Sequence, residues 1–443
     1  MTAIVRRTRG RFVTLPSTPR FYPVAEPGTR TVFGGEIRTG RLPPEMSHRR
    51  GRSRRSRGGA SGVRSRSPGG LTAVVAALGV ITVIGLAALW PGGDVRGDLQ
   101  GLGVAIAAQS FEGRVADTRE VPCQGTEPEQ DILCLRVTFD LLEGPDRGRA
   151  VSQEFPVTAN VPRFEEGESV IVAHDPQAAE EFQYRFADRD RESVLAWLAL
   201  GFAVAVVVLG RLRGLAALAG LAATFVVLLR FVLPAILEGK SPLLVAVIGA
   251  ALIAFLALYL AHGFTPMTSV ALIGTLASLA LTAVLASAFV EAARISGLAT
   301  EEALIIRVGA AQIDLAGLVL GGVIIGALGA IDDMTVTQAS AVWELRAANP
   351  AMSAGDLARA GMRIGRDHVA STVNTLFLAY AGASMPLLVL FVLSRQSLAT
   401  VANTEIVATE IVRTLVGSIG LVASVPLTTW LAAYIAPRSV PGD

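Results

Sequence analysis

The sequence is short of the residues on which most soluble enzymes and metal proteins depend. Only 17% of its 443 residues are charged, and it has two cysteines, four histidines and a single lysine, Lys240. Two cysteines are too few for a Cys-based zinc finger or an iron–sulfur cluster. Cys123 and Cys134 also do not have the CxxC spacing of a thioredoxin-type redox pair. GxSxG, HExxH and P-loop motifs are also absent. These absences argue against the common classes of soluble enzyme and zinc protein, and no resident cofactor is expected.

Apolar residues are abundant instead. They make up 51% of the chain, and the mean hydropathy is +0.52, which is too apolar for an ordinary soluble globule. The uncharged run 71–90 is long enough to cross a hydrocarbon core of ~30 Å and exceeds the roughly 7–15 apolar residues of a signal peptide. We predict a first transmembrane helix at 70–91, with a cleaved signal as the alternative. Seven further apolar stretches predict a seven-helix core within 192–437, at 193–210, 214–236, 242–261, 267–290, 311–331, 369–393 and 409–436. With the first helix, the chain is predicted to be an all-α polytopic membrane protein of about eight transmembrane helices.

Basic residues in the short loops predict the orientation. Arg211 and Arg213 lie between the second and third spans, and four arginines lie between the sixth and seventh. Loops rich in Arg and Lys stay on the cytoplasmic side. We therefore predict a multi-pass protein of a bacterial plasma membrane, with both termini cytoplasmic and residues 92–191 extracytoplasmic.

Residues 1–69 form a basic tail. They contain sixteen arginines against three acids and no apolar periodicity, so we predict a disordered cytoplasmic segment. It serves either as a topology signal or as a ligand for anionic lipid headgroups, and no specific nucleic acid is expected. Met46 directly precedes its densest basic run and is an alternative start of translation.

Residues 92–191 form an acidic block with ten arginines against twenty acids. Alternating apolar residues at 133–139 and 182–186 predict a small β-rich domain, a barrel or sandwich of about five strands. The predicted location is oxidising, which allows a disulfide between Cys123 and Cys134.

Polar residues inside the spans are candidate functional groups, because a charge at bilayer depth needs a partner or a wet cavity. Arg230 lies one turn before the helix-breaking Pro234 and is either a site residue or a snorkelling arginine. Glu410 and Arg413 are spaced i, i+3, which favours an internal ion pair or an ion relay. Asn374 and Tyr380 give the seventh span a polar stripe that either lines a pathway or joins helices. The predicted pathway lining is Arg230, Asn374, Tyr380, Glu410 and Arg413.

Four glycines give the sixth span two overlapping GxxxG spacings. Small residues at this spacing let a neighbouring helix approach closely. We predict helix packing, within one chain or in a homo-oligomer, at Gly317, Gly321, Gly322 and Gly326.

Asp332 and Asp333 follow this glycine run. Two acids at a helix C-terminus oppose its macrodipole, so we predict that the sixth span ends here and that the aspartates cap a new helix at 334–346. Residues 332–368 would then be a cytoplasmic helical loop. Its second helix is predicted to start at the capping-box spacing Ser353-Ala-Gly-Asp356 and to run to about Arg366.

Asp367 and His368 are predicted to open the seventh span. If the sixth and seventh spans pack antiparallel, these two residues approach Asp332 and Asp333. Such a group could bind a divalent cation or pass protons through His368, and caps and surface ion pairs are the alternative.

Two long segments carry a family resemblance. GALGAIDDMTVTQASAVWEL (326–345) and GRDHVASTVNTLFLAYAGASMPLLVLF (365–391) resemble the YibE/F-like family of bacterial multi-pass membrane proteins in its actinobacterial form, and the similarity covers about 180–436. The resemblance implies a permease-like protein of the plasma membrane whose substrate and reaction are open.

Three functional hypotheses follow. A Pro-broken span and polar spans are typical of a permease or ion-coupled secondary transporter of a small solute or ion, in which Asp332, Asp333, Asp367 and His368 would form an ion or proton gate. The alternatives are a sensor or envelope assembly factor that binds ligands with its β domain, and a metal-dependent membrane enzyme.

Overall fold

The computed structural model describes residues 69–93, 109–123, 133–157, 163–394 and 396–439. The predicted disordered tail and the alternative start at Met46 lie outside these residues.

The acidic block folds into a curled antiparallel sheet of five strands, as its alternating pattern predicts. The strand order is β3-β2-β1-β4-β5, so the long first strand is central. The two edge strands approach each other, since the side chain of Gln153 on β3 accepts a hydrogen bond from the backbone N–H of Phe186 on β5 at 2.8 Å. The strands are β1 (Gln109–Pro122), β2 (Leu133–Leu141), β3 (Ala150–Pro156), β4 (Ser169–His174) and β5 (Tyr184–Arg189).

Aromatic rings fill the inside of this sheet. Phe139, Phe155, Phe164 and Phe186 lie with ring centroids 5.0 to 6.0 Å apart. The predicted bond joins Cys123, just beyond the end of β1, to Cys134 on β2. It closes the β1–β2 hairpin, where Val121 is paired with Cys134.

The remaining described residues are mainly helical. The first helix after the sheet, α2, contains a break, and a π-helical turn at Leu228–Val232 joins it to α3. The helices are α1 (Gly69–Ala88), α2 (Glu192–Val227), α3 (Leu233–Leu237), α4 (Pro242–His262), α5 (Pro266–Ala292), α6 (Glu301–Gly309), α7 (Leu315–Ala348), α8 (Ala354–Ala383), α9 (Met385–Leu393), α10 (Leu398–Ala402) and α11 (Glu405–Ser439).

The number of spans depends on how bends are counted. Within the described residues, six helices are long and apolar enough to cross a membrane, or seven if α8 and α9, bent by 65°, form one span. The prediction of eight is not confirmed. The difference arises at Glu192–Leu237, one stretch of 46 residues in which Arg211 has a non-helical backbone with φ 52° and ψ −128°. Gly214 lies against the carbonyl of Val206, which a straight helix would place ~12 Å away.

The predicted boundaries of the sixth and seventh spans are wrong. α7 is one helix of 34 residues, with Asp332 and Asp333 in its interior rather than at a cap. Its buried face continues past the aspartates at Met334, Gln338 and Val342, and this packing keeps the helix continuous. Residues 332–368 thus contain the end of α7, a short connection and the start of α8, and their location on the cytoplasmic side stays a prediction.

The predicted capping box is present, but the helix that it starts is longer than predicted. The Ser353 side chain accepts a hydrogen bond from the backbone N–H of Asp356. α8 then runs unbroken through Asp367 and His368 to Ala383, since no Pro interrupts it.

α1 is attached to the rest of the chain by the only lysine. The Lys240 ammonium donates to the carbonyls of Leu89 and Trp90 and pairs with Glu238 at 3.0 Å. Glu238 accepts from the backbone N–H of Gly93 at 2.6 Å. A cation at a helix C-terminus is favoured by the helix dipole, so these two side chains hold the end of α1.

Candidate functional site

The centre of the helical part is a crossing of α5 and α11. Gly274 of α5 lies against the hydroxyl of Thr428 on α11, and Gly420 of α11 lies against the hydroxyl of Thr282 on α5. Thr282 is two turns after Gly274, and Gly420 is two turns before Thr428. The helices therefore cross antiparallel, and each one places a threonine on a glycine of the other.

The two helices share a sequence, and equivalent residues of the two copies lie at the crossing. Residues 268–286 and 414–432 align without a gap, and the aligned residues are buried at corresponding places every fourth residue, from Val270 and Val416 to Ala286 and Ala432. Sequence reasoning missed this signal, although a self-comparison of the chain would have found it. Ten of the 19 positions are identical; in the first copy they are Thr268, Val270, Ile273, Gly274, Ala277, Ser278, Leu281, Thr282, Leu285 and Ala286.

The repeat and the crossing together define a two-fold relation. Val270 lies in one apolar cluster with Ala432, and Ala286 lies in another with Val416. An antiparallel crossing of two copies through equivalent residues has a pseudo-two-fold axis perpendicular to the helices. Ser278 and Ser424, the central residues of the two copies, are both buried.

A carboxyl group adjoins this crossing. The Asp332 Oδ1 of α7 lies 3.3 Å from Thr275 Oγ1, which follows Gly274 on α5. Thr275 Oγ1 lies 2.7 Å from Thr335 Oγ1, and Thr335 donates to the backbone carbonyl of Asp332 at 3.0 Å. We call Thr275, Asp332, Thr335 and Thr428 the polar seam.

Thr428 is the unsatisfied member of the polar seam. Its side chain is fully buried, and its hydroxyl has no hydrogen-bond partner among the described residues. A carbon atom built on Gly274 would contact the Thr428 hydroxyl and the Thr335 methyl group, so both threonine side chains lie against the same glycine of α5.

α8 packs against α7 and α11 beside the crossing. The Gln338 amide of α7 donates to the Gly361 carbonyl of α8 at 2.7 Å. Gly361 and Gly365 allow the approach, since a side chain at either position would overlap Gln338 and α11.

Tyr380, Glu410 and Arg413, three of the five residues predicted to line a pathway, lie together. Arg413 pairs with Glu410 at 2.5 Å, and Tyr380 and Glu410 line one cavity of about 260 Å³. A second cavity of about 240 Å³ on the other side of α11 is lined by Glu410 and Arg413 with Thr300 and Glu302.

The four predicted packing glycines separate into two faces of α7. Gly317 and Gly321 are buried against Pro242 and, for Gly321, Ala246 of α4. Gly322 and Gly326 are exposed and leave room for two side-chain tips, Arg413 and the Tyr380 hydroxyl, respectively.

The other predicted site residues lie apart from the crossing or at its margin. Arg230 is exposed on the π-helical turn that Pro234 produces one turn upstream, and Asn374 is exposed on α8. Asp333 and Asp367 are exposed, and His368 is half-buried. Among the described residues, no group of three or more His, Cys, Asp and Glu side chains could hold a metal ion. The gate that combines Asp332, Asp333, Asp367 and His368 stays a prediction.

Comparison with known proteins gives one match. The sequence profile of the YibE/F-like protein family matches residues 198–438, which include α4, α5, α7, α8 and nearly all of α11 but not the sheet. Neither the curated proteins nor the solved structures include a match. Because the profile covers more than half of the chain, the chain belongs to the YibE/F-like family.

Proposed function

We propose that this protein is a permease-type secondary transporter of a small solute or ion in the bacterial plasma membrane, and that its moving parts meet where α5 and α11 cross. The observation that supports this proposal most strongly is the antiparallel crossing of two copies of one sequence. Inverted repeats of this kind recur in secondary transporters, whose binding sites lie at the repeat interface.

The chemistry of the crossing agrees with this role. The crossing buries four hydroxyl groups, those of Ser278, Thr282, Ser424 and Thr428. The first three donate to carbonyls of their own helices. Each hydroxyl in lipid needs a partner, and a transporter path needs groups that exchange partners with water or a solute.

The two-fold relation also suggests how access would alternate. Equivalent contacts lie on both sides of the central serines, with Gly274 on Thr428 toward one end and Gly420 on Thr282 toward the other. Opening one pair while the other stays closed would expose the centre to one side of the membrane at a time. Alternating access requires two packing arrangements of the same helices, one open to each side of the membrane.

Cysteine accessibility tests this proposal without knowledge of the substrate. The variants are Ser278→Cys and Ser424→Cys in the full chain, probed by membrane-impermeant thiol reagents in right-side-out and inside-out vesicles. The native cysteines are bonded to each other and do not react. Ala280→Cys is the matched control, because Ala280 is exposed on the outer face of α5 and would face lipid.

Alternating access predicts that both serine positions are labelled from either side and that Ala280→Cys is labelled from neither. If Ser278→Cys and Ser424→Cys resist the reagents on both sides while the protein is folded, the crossing is a sealed packing interface and the proposal is wrong.

A further inference from the structure

The contacts among Thr275, Asp332 and Thr335 require more hydrogens than the two threonine hydroxyls supply. Three contacts join Asp332 Oδ1 to Thr275 Oγ1, Thr275 Oγ1 to Thr335 Oγ1, and Thr335 Oγ1 to the Asp332 carbonyl, at 3.3, 2.7 and 3.0 Å. A hydroxyl group has one hydrogen, so Thr275 and Thr335 supply two for three contacts. With an ionised Asp332, one contact would join two acceptors.

One added proton completes the network. A protonated Asp332 carboxyl donates to Thr275 Oγ1, Thr275 donates to Thr335 Oγ1, and Thr335 donates to the backbone carbonyl of Asp332. The hydroxyls of Thr275 and Thr335 then each donate once and accept once, as buried polar groups generally do. We infer that Asp332 is the proton-binding residue of this protein and that the proton is the coupling ion, an inference that rests on the proposed transporter function.

The surroundings of Asp332 allow the proton to be gained and lost. Asp333 is its charged neighbour on α7, and the Asp333 side chain is exposed. Of the helices packed near it, α5 has a single acid, Glu291, near its far end, and α11 has no charged residue between Arg413 and Arg438. α8 contributes Arg363, Arg366, Asp367 and His368, of which the first three are exposed. In the part of the chain that the structure describes, no Arg, Lys or His side chain forms an ion pair with the Asp332 carboxyl, so no such cation holds it ionised.

Thr428 places an unpaired hydroxyl beside this network. Among the described residues its oxygen is buried and has no hydrogen-bond partner. An unpaired buried hydroxyl is unfavourable, so Thr428 would form a hydrogen bond with water or a solute that entered the crossing.

Infrared spectroscopy of the full chain in lipid tests the proton site directly. We expect a carbonyl stretch of a protonated carboxylic acid that disappears as the pH rises. The band should be lost in Asp332→Asn and kept in Asp333→Asn, the matched control one residue away. Asn supplies an N–H donor to Thr275, so the Asp332→Asn variant should fold.

A second variant and a proton count make the outcome decisive. Thr275→Val keeps the carboxyl but removes its partner, and it should shift the band frequency without removing it. A pH jump should release one proton fewer per chain from Asp332→Asn than from the wild type. A band that persists in Asp332→Asn, or an Asp332 that is ionised at every pH at which the protein is folded, would overturn the assignment.

Sodium binding is the competing outcome. If Na⁺ rather than pH removes the band, and Asp332→Asn abolishes ²²Na⁺ binding to the purified protein, the site binds a metal cation and the proton assignment is wrong. Neither measurement requires transport. If Asp332 titrates but Ser278→Cys resists the thiol reagents, the transporter proposal is wrong and the proton site stands. If Ser278→Cys is labelled from both sides but Asp332 does not titrate, only the proton assignment is wrong.

Discussion

The sheet and the α5–α11 crossing are packed by opposite means. The sheet buries large aromatic side chains around Phe139, whereas the crossing buries Gly, Ser and Thr. In water, apolar area removed from solvent stabilises a fold. Between helices in lipid that driving force is missing, and close approach through small residues takes its place. The sheet should therefore be sensitive to lost volume, and the crossing to added volume.

The largest expected effect is in the sheet. Phe139→Ala removes a fully buried ring from the centre of the aromatic cluster and should destabilise the sheet by about 3–5 kcal/mol. Limited proteolysis of the full chain should then show cleavage within 109–189. Phe182→Ala is the control, because that ring is 60% exposed and its removal should leave the cleavage rate unchanged.

The disulfide should have the next largest effect. Cys123 and Cys134 are 11 positions apart, and a loop of this length corresponds to about 3 kcal/mol of chain entropy. Replacing both with Ser should increase proteolysis of the sheet but not alter the melting of the helical part. A matching loss in both parts would show that the two regions unfold as one unit.

The crossing should respond to a single added methyl group. Gly274→Ala would place a carbon against the Thr428 hydroxyl, and overpacking of this kind costs about 1–3 kcal/mol. The two-fold relation predicts a similar loss of thermal stability for Gly420→Ala, which meets Thr282. Gly329→Ala is the control, since nothing lies within 4 Å of that position; equal melting temperatures for Gly274→Ala and Gly329→Ala would contradict the close approach.

The smallest loss of stability should come from releasing the end of α1 by protonation of Glu238. The Gly93 N–H and then Lys240 lower the pKa of Glu238 below its ordinary value of 4.5. A carboxyl with a lowered pKa stabilises the attached state above pH 4.5, and this contribution is lost as the pH falls through the lowered value. Trp90, stacked on Phe231 at 6.0 Å, should report the release by fluorescence below pH 4.5. Glu238→Gln should remove the pH dependence, and an unchanged profile in that variant would assign it to another group.

Periodicity in the sequence predicts much of this fold. Alternation predicts the five strands, and the Ser353–Asp356 spacing predicts the start of α8. Pro234 predicts the disturbed turn at Arg230. Each of these is a local rule of the backbone, which needs no knowledge of distant residues.

The errors arise where tertiary contacts outweigh local preference. Two aspartates after a glycine run read as a helix end, yet burial of Met334 and Gln338 extends α7 past them. The site was incompletely predicted for the same reason. Asp332 was among the candidates, but its partner Thr275 lies 57 positions earlier, and no spacing rule connects them.

Lys240 gives the chain a built-in chemical reporter. It is the only lysine among 443 residues, so an amine acylating reagent has a single side-chain target. While its ammonium donates to the carbonyls of Leu89 and Trp90, the nitrogen has no free lone pair and should react slowly. The acylation rate at this one nitrogen would then measure how often the end of α1 leaves its place, without a mutation or an added probe.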